Sequence, residues 1–289
     1  MVALAGAVPA GAGIGLRRER GRVRLRVRKG GRVHAVPSAS ESNGEDGLRR
    51  GNSVAPGEVQ ALFNGIAPVY DVINDAFSLG QHRVWKRATV KWSGAKKGAM
   101  CLDLCCGSGD LALLLAEYAG PSGRVTGLDF SRELLDEAEK RAGSPTGRLG
   151  AAEVEWVEGD AMDLGASLPA GVLYDAATMG YGLRNVRDIV GCLRGVHSVL
   201  RPGATLACLD FNRPEDAPTQ AFQTFALDNL VVPFARALNL GPEYEYLVPS
   251  IARFPTGPEQ VQLALDAGFS KARHYMLANG LMGVLVATK

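Results

Sequence analysis

The stretch Met100-Cys101-Leu102-Asp103-Leu104-Cys105-Cys106-Gly107-Ser108-Gly109-Asp110-Leu111 constrains this 289-residue chain more than any other. Its first five residues are mostly apolar and show no helical period, which fits a short strand buried on both faces of a parallel sheet. Two glycines follow at i and i+2, and Asp110 then opens Leu111-Ala112-Leu113-Leu114-Leu115-Ala116-Glu117, a run of strong helix formers. Strand, glycine turn and helix make the first half of a βαβ unit. Only a residue without Cβ lets the backbone turn that sharply and come into contact with a ligand.

A G-x-G turn alone says little, and with Ala112 this one also satisfies the looser dinucleotide pattern G-x-G-x-x-A. The following strand, Gly123 to Ser131, adds weight, because it ends in Asp129, twenty residues after Gly109, with Phe130 beside it. A carboxylate there overlooks the crevice and can accept both hydroxyls of a ribose. Asp103 before the turn and Asp110 after it would repel a pyrophosphate. They suit a cationic ligand that carries an amino group and a sulfonium. The expected cofactor is S-adenosylmethionine, held by Asp103, Gly107, Ser108, Gly109, Asp129 and Phe130.

A chain of this length with 46% hydrophobic residues can bury one large core, so a single catalytic domain is the economical reading. The first 36 residues stand apart, with nine Lys or Arg against the one acid Glu19, a net +8 in a chain whose total is +2. An Arg-rich arm nearly devoid of acid has the composition of an organelle transit peptide, and Val33-His34-Ala35-Val36 resembles a plastid processing site, a resemblance that implies residues 1–36 address the chain to the chloroplast. A nucleic-acid arm and a structured strand are the rivals, since Arg22 to Arg28 alternates strictly. The acidic remainder offers nucleic acid no continuing basic face. Residues 37–56 read as a disordered linker and 57–289 as the catalytic domain. The five cysteines form no C-x-x-C pair and read as buried free thiols with no metal site. The longest aliphatic run, Leu111 to Ala116, is far short of the about twenty residues that span a bilayer.

Taken in order, residues 57–97 read as a helical lid, with Val59, Leu62, Phe63 and Ile66 at helical spacing and Pro68 breaking it. Ser131 is the N-cap expected for a helix to Ala142. Val154 to Glu158 is the third strand of the parallel series, followed by Gly159-Asp160-Ala161. Tyr174 to Met179 is the fourth, and it runs into Gly180-Tyr181-Gly182-Leu183-Arg184-Asn185-Val186 at the mouth of the crevice. Gly180 permits close approach there and Arg184 brings a permanent cation. An apolar stripe predicts a helix from Val186 to Leu200, Arg201-Pro202-Gly203 a turn, and Ala204 to Asp210 the fifth strand. Residues 215–250 read as a helical insertion, whose Phe222, Phe225 and Leu230 either pack or wall a hydrophobic substrate. Pro258 and Glu259 start a helix, and Ala272–Leu277 with Met282–Thr288 form a closing hairpin around Asn279-Gly280.

The run Leu102 to Leu111 resembles motif I of the class I S-adenosylmethionine-dependent methyltransferases, in the form used by the ubiquinone/menaquinone C-methyltransferases. Phe63, Ile66-Ala67, Tyr70-Asp71, Asn74, Ser78-Leu79-Gly80 and Trp85 match that family's N-terminal signature, and Gly182-Leu183-Arg184-Asn185-Val186 matches its most specific one. The likeness runs from about Val59 to Lys289. It implies a Rossmann-like α/β fold: a seven-stranded, mostly parallel sheet with an antiparallel C-terminal hairpin and a helical lid. It places Asp160 on the adenine amine with the small Ala161 under the ring. Thr178-Met179-Gly180-Tyr181-Gly182 and Leu209-Asp210-Phe211-Asn212 look closest to the plastid branch, which C-methylates the reduced ring of demethylphylloquinone. A demethylmenaquinol or a ubiquinone precursor is the alternative substrate. Carbon methylation needs a ring activated by an ionised hydroxyl, so Arg184 is the expected quinolate stabiliser. Tyr70, Asp71 and Asn74 are expected to orient the quinol or relay its proton. The implied partner is a prenylated naphthoquinol, with room left for peripheral membrane contact and a homodimer.

Overall fold

The structure is a computed structural model that describes residues 80–143, 150–237 and 247–289, and the backbone of 12–19 and 22–29. The predicted lid residues 57–79, including Tyr70, Asp71 and Asn74, lie outside the described residues, as does the linker 37–56. Strands β1 (Ala12–Glu19) and β2 (Arg22–Lys29) pair antiparallel in a ribbon of their own. That is the strand form of the alternating arginine run.

The main sheet holds β3 (Met100–Leu104), β4 (Arg124–Asp129), β5 (Glu153–Glu158), β6 (Tyr174–Gly180), β7 (Leu200–Phe211), β8 (Lys271–Leu277) and β9 (Met282–Thr288). Its order is β5-β4-β3-β6-β7-β9-β8. The first five are parallel, whereas β9 runs antiparallel to both β7 and β8. The chain winds outward from β3 to β5 and then crosses back to β6, so the order reverses between β3 and β6. Ligands of open α/β sheets bind beyond the carboxyl ends of the strands at such a reversal.

Alternate residues of the central strands feed two cores. Cys101, Val125 and Ala176 face helices α1 (His82–Trp92), α2 (Asp110–Ala119) and α3 (Arg132–Ala142). Leu102, Leu104, Leu128 and Met179 face α4 (Leu164–Ser167) and α5 (Ile189–Val199). From Ala217 on, the insertion is helical wherever it is described: α6 (Ala217–Ala226), a π turn (Leu227–Val231), α7 (Val232–Ala237) and α8 (Leu247–Arg253). Helix α9 (Gly257–Asp266) carries a capping box of Thr256 and Glu259. The described part of the lid region, α1, is clamped to the body: Trp92 stacks on Tyr275 at 4.6 Å and Lys86 pairs with Asp110.

Two boundaries differ from the sequence reading. Helix α5 starts at Ile189, not Val186, because Val186 is extended and the Asp188 side chain accepts the Gly191 N–H at 2.9 Å. The apolar stripe marks the core-facing side chains, but the cap decides where the helix begins. The turn at 201–203 is absorbed into β7 as an irregularity, where pairing jumps from Tyr174–Leu200 to Ala176–Thr205. Gly203 sits there at φ 81, its N–H donating to Lys289 O.

All five cysteines are free. Burial pushes the Cys101 and Cys192 thiols up to about 12, so neither is a nucleophile at neutral pH. His197 packs edge-on against Phe269 at 5.2 Å, a structural role. Trp156 has a role that its sequence position did not suggest, since its indole covers both Gly127 and Gly109. A Cβ on Gly109 would stand 2.6 Å from Trp156 Cη2, and Gly109 also has φ 88. Gly109→Ala combines overpacking with left-handed strain and is expected to cost about 2–4 kcal/mol. A denaturation midpoint equal to wild type would show that the indole can tilt away.

Candidate active site

The crevice beyond β3 and β6 is built first from the glycine turn. Cys105 at φ 52, Gly107 at φ 53 and Gly109 at φ 88 turn the chain within five residues. The turn is held from below by Cys106 N–H to Leu128 O at 3.0 Å, and it hands over to α2 through Leu113 N–H to Gly109 O. A Cβ built on Gly107 would meet nothing within 4 Å, so this backbone borders open space. Asp129, at the end of the neighbouring strand, accepts the Gly107 N–H at 2.8 Å with one oxygen and the Ser131 N–H at 2.9 Å with the other. Burial raises its pKa, opposed by those backbone donors and by Phe130 N–H. The carboxylate therefore fixes the loop and still has lone pairs to offer a diol.

The two acids flanking the turn are not equivalent. Asp110 is bound by Lys86 from α1 and Arg141 from α3, and Arg141 also donates to the Ser108 hydroxyl and carbonyl, both at 2.8 Å. Burial works to raise the Asp110 carboxyl, but the two cations outweigh it and hold it below its ordinary value. Its charge is thus spent on the scaffold, and the expectation that it answers a bound cation is corrected. Asp103 is different. One oxygen accepts the Thr178 hydroxyl at 2.7 Å, while the other, Oδ2, is buried with no hydrogen-bond partner among the described residues. Burial pushes the carboxyl up to about 7, despite the lowering effects of Thr178 and of the Ala112 backbone, and with Asp129 and Asp110 adding to the rise.

An unpaired buried carboxylate oxygen beside open backbone suits a ligand with a positive charge and hydrogens to donate. S-adenosylmethionine fits that demand at Asp103 and fits a diol at Asp129. A raised carboxyl pKa favours the folded state below pH 3.8, and that advantage is lost as pH rises through about 7. A cation beside Asp103 favours its ionised form, so donor affinity is expected to climb with pH up to about 7, by at most about tenfold per unit. Calorimetry at pH 6 in buffers of differing ionisation heat should show proton release on binding. No release would remove Asp103 from the donor site.

The opposite wall comes from β6 and β7. Gly182 is forced by close approach, since a Cβ there would stand 2.7 Å from Cys105 Cβ. Tyr181 sits at φ 58, with its N–H on Leu209 O and its carbonyl held by the Asn185 side-chain amide at 2.9 Å. Arg184 is buried. Its Nε donates to Asp210 at 3.1 Å, its Nη1 to Ser250 at 2.5 Å, and its guanidinium lies 5.6 Å from the Phe211 ring centroid. Nη2 donates to none of the described residues. Asp210 and Ser250 escaped the sequence reading as holders of Arg184, because 26 and 66 residues separate them from it.

Phe130 follows Asp129 at the crevice edge and Ala161 is buried. Asp160 is exposed, caps the Met162 N–H at 2.8 Å and lies 3.7 Å from Arg187. Gly180 ends β6, where a Cβ would press on Leu111 Cδ1 at 2.8 Å. Phe222 and Phe225 point outward, so the inner wall of the insertion is made by Leu227 and Val231 packed with Phe211.

A nucleoside crevice at the switch point of a 3-2-1-4-5-7-6 type sheet, closed by an antiparallel hairpin, is the architecture of the class I methyltransferases. Among solved structures, the magnesium protoporphyrin IX methyltransferase of Synechocystis PCC 6803 with bound SAH superposes with a TM-score of 0.57 at 16% identity, covering 81% of this chain and all of that one. Residues 52–289 match the ubiE/COQ5 methyltransferase family, and the chain belongs to it. It is a methyltransferase, and its donor is S-adenosylmethionine. Its relatives include a Nostoc protein named 2-phytyl-1,4-naphtoquinone methyltransferase, 51% identical over 232 residues, which are 80% of this chain and 99% of that one. An Arabidopsis thaliana protein named 2-phytyl-1,4-beta-naphthoquinone methyltransferase, chloroplastic, is also 51% identical, over 80% of this chain and 87% of its own length.

Proposed function

We propose that this enzyme methylates a ring carbon of 2-phytyl-1,4-naphthoquinol, the reduced form of demethylphylloquinone. The carrying observation is the 51% identity, spanning nearly the full length of relatives named for that quinone. The bound donor supplies an electrophilic methyl carbon on a sulfonium, so the protein need not activate it. The chain's own task is to orient donor and ring and to exclude water. Asp103 and Asp129 hold the charged and diol ends of the donor, and Gly107 lets it approach the backbone; Ser108, Gly109, Phe130, Asp160, Ala161 and Gly180 complete its contacts.

Arg184 has the geometry to favour an ionised ring hydroxyl. Asp210 and Ser250 hold two arms of its fork, leaving Nη2 for a substrate oxygen. A fixed cation lowers the pKa of a nearby hydroxyl and so raises electron density on the ring carbon. Tyr70, Asp71 and Asn74 are assigned the orientation of the quinol and the removal of its ring proton. A quinone ring is too electron-poor to attack a sulfonium. Methyl transfer from labelled donor is therefore expected with dithionite-reduced 2-phytyl-1,4-naphthoquinone and not with the oxidised compound. Equal rates on both would overturn the reading.

Plastid placement belongs to the same proposal. The family match begins at residue 52, beyond the basic arm, and the Arabidopsis relative is named chloroplastic. Residues 1–36 then act as the leader, and their removal should abolish import into isolated chloroplasts while leaving turnover unchanged.

A further inference from the structure

The insertion turns an apolar ridge outward. Phe222, Phe225 and Leu230 are 58%, 60% and 58% exposed, and Met276 is 72% exposed. Phe222 and Phe225 lie one turn apart on the same face of α6. Five residues further on, Leu230 would leave that face in a regular α-helix. A π turn intervenes: Val232 N–H donates to Leu227 O, Pro233 has no N–H to continue an α ladder, and Leu230 stands exposed on the wider turn. Thr219 extends the face in the other direction. Its Cγ2 and the Met276 Sδ both flank Gly280, 3.8 and 3.9 Å from where a Cβ would stand. The opposite face of the same segment is committed inward: Gln223 donates to Asn212 O at 2.9 Å, and Leu227 packs with Leu247, Ile251 and Phe211. Through Phe211 it reaches Tyr181 and Arg184.

We infer that this ridge docks the enzyme on a neutral lipid bilayer, with Phe222, Phe225, Leu230 and Met276 inserted at the boundary between headgroups and acyl chains. Three features of the ridge select that occupant. Its four side chains are each more than half exposed, and side chains that protrude need a medium that deforms around them. It is also small, since four side chains that are only 58–72% exposed present less than the about 800 Å² per partner that a stable protein interface needs. Finally it lacks net charge, because the only charged residues of 217–237 are Asp228 and Arg236, one of each sign. Interfacial helices that seek anionic lipid carry a basic face, which this one does not. The proposed substrate reading enters in one respect: a phytyl tail must be drawn from lipid, and the inner face of this segment lines the way to Arg184.

The test is flotation of the full chain with phosphatidylcholine vesicles that contain no quinone. Wild type is expected to float with the vesicles at low and high salt alike, and Phe222→Ser/Phe225→Ser to lose about tenfold or more in partition coefficient. Both residues are exposed, so the denaturation midpoint should stay near wild type, and Leu230→Ser alone should give a smaller loss in the same direction. The double variant should retain turnover of a short-tailed, water-soluble naphthoquinol and slow on the phytyl substrate supplied in vesicles. Three results would overturn the inference: undiminished flotation of the double variant, flotation that requires anionic lipid and vanishes in salt, or a shift in oligomeric state with vesicle binding unchanged. Failure of wild type to methylate any naphthoquinol would sink the substrate reading and leave the vesicle result standing.

Discussion

Arg184→Lys is expected to lower kcat by about a hundredfold to a thousandfold, the range for losing one electrostatic donor at a reacting centre, with the donor Kd little changed. The structure gives the reason for choosing lysine. Arg184 meets Asp210 through Nε and Ser250 through Nη1, and its Nη2 donates to none of the described residues. A lysine has a single nitrogen, and the buried Asp210 carboxylate will claim it. Charge is then conserved, the ion pair survives, and only the arm proposed for the substrate oxygen is lost. Arg184→Met would be less informative. It strands Asp210 in the interior at about 3–5 kcal/mol and so mixes folding with chemistry. The measurement is single-turnover methyl transfer beside calorimetric donor binding. A lysine variant with wild-type kcat would return Arg184 to a purely structural role as the tie between β7, α8 and the loop after β6.

Asp129→Ala is expected to weaken S-adenosylmethionine binding by about 2–4 kcal/mol, the loss of a pair of hydrogen bonds to a charged group. In the structure Asp129 has a second duty, because its two oxygens also hold the N–H groups of Gly107 and Ser131. The alanine variant should therefore lose some stability too. Asp129→Asn separates the two effects: it keeps one oxygen for the backbone and removes the charge, so its affinity should fall between wild type and alanine while its denaturation midpoint falls less. Unchanged donor affinity in a folded alanine variant would overturn the assignment of Asp129 to the ribose.

The sequence by itself determined the elements that rest on local chemistry. Met100–Leu104 reads as strand because every position but Asp103 is apolar, and Ser131 caps a helix wherever its hydroxyl can reach the Leu134 N–H. Gly107 and Gly109 announce a turn because left-handed φ is cheap only for glycine. The acids flanking the turn point to a cationic methyl donor, and the family signature points on to the quinol. Tertiary structure decided which charges remain available. Asp103 and Asp110 look alike in the chain, seven residues apart. Folding brings Lys86 and Arg141 onto Asp110, whereas it buries Asp103 with one oxygen unpaired. The same holds for Arg184, whose partners come from β7 and α8, and for the insertion, where Gln223 and Leu227 are drawn inward and Phe222 and Phe225 are left outside. Charge pairing acts through space over a few ångströms, and contacts separated by dozens of residues leave no periodic trace in the chain.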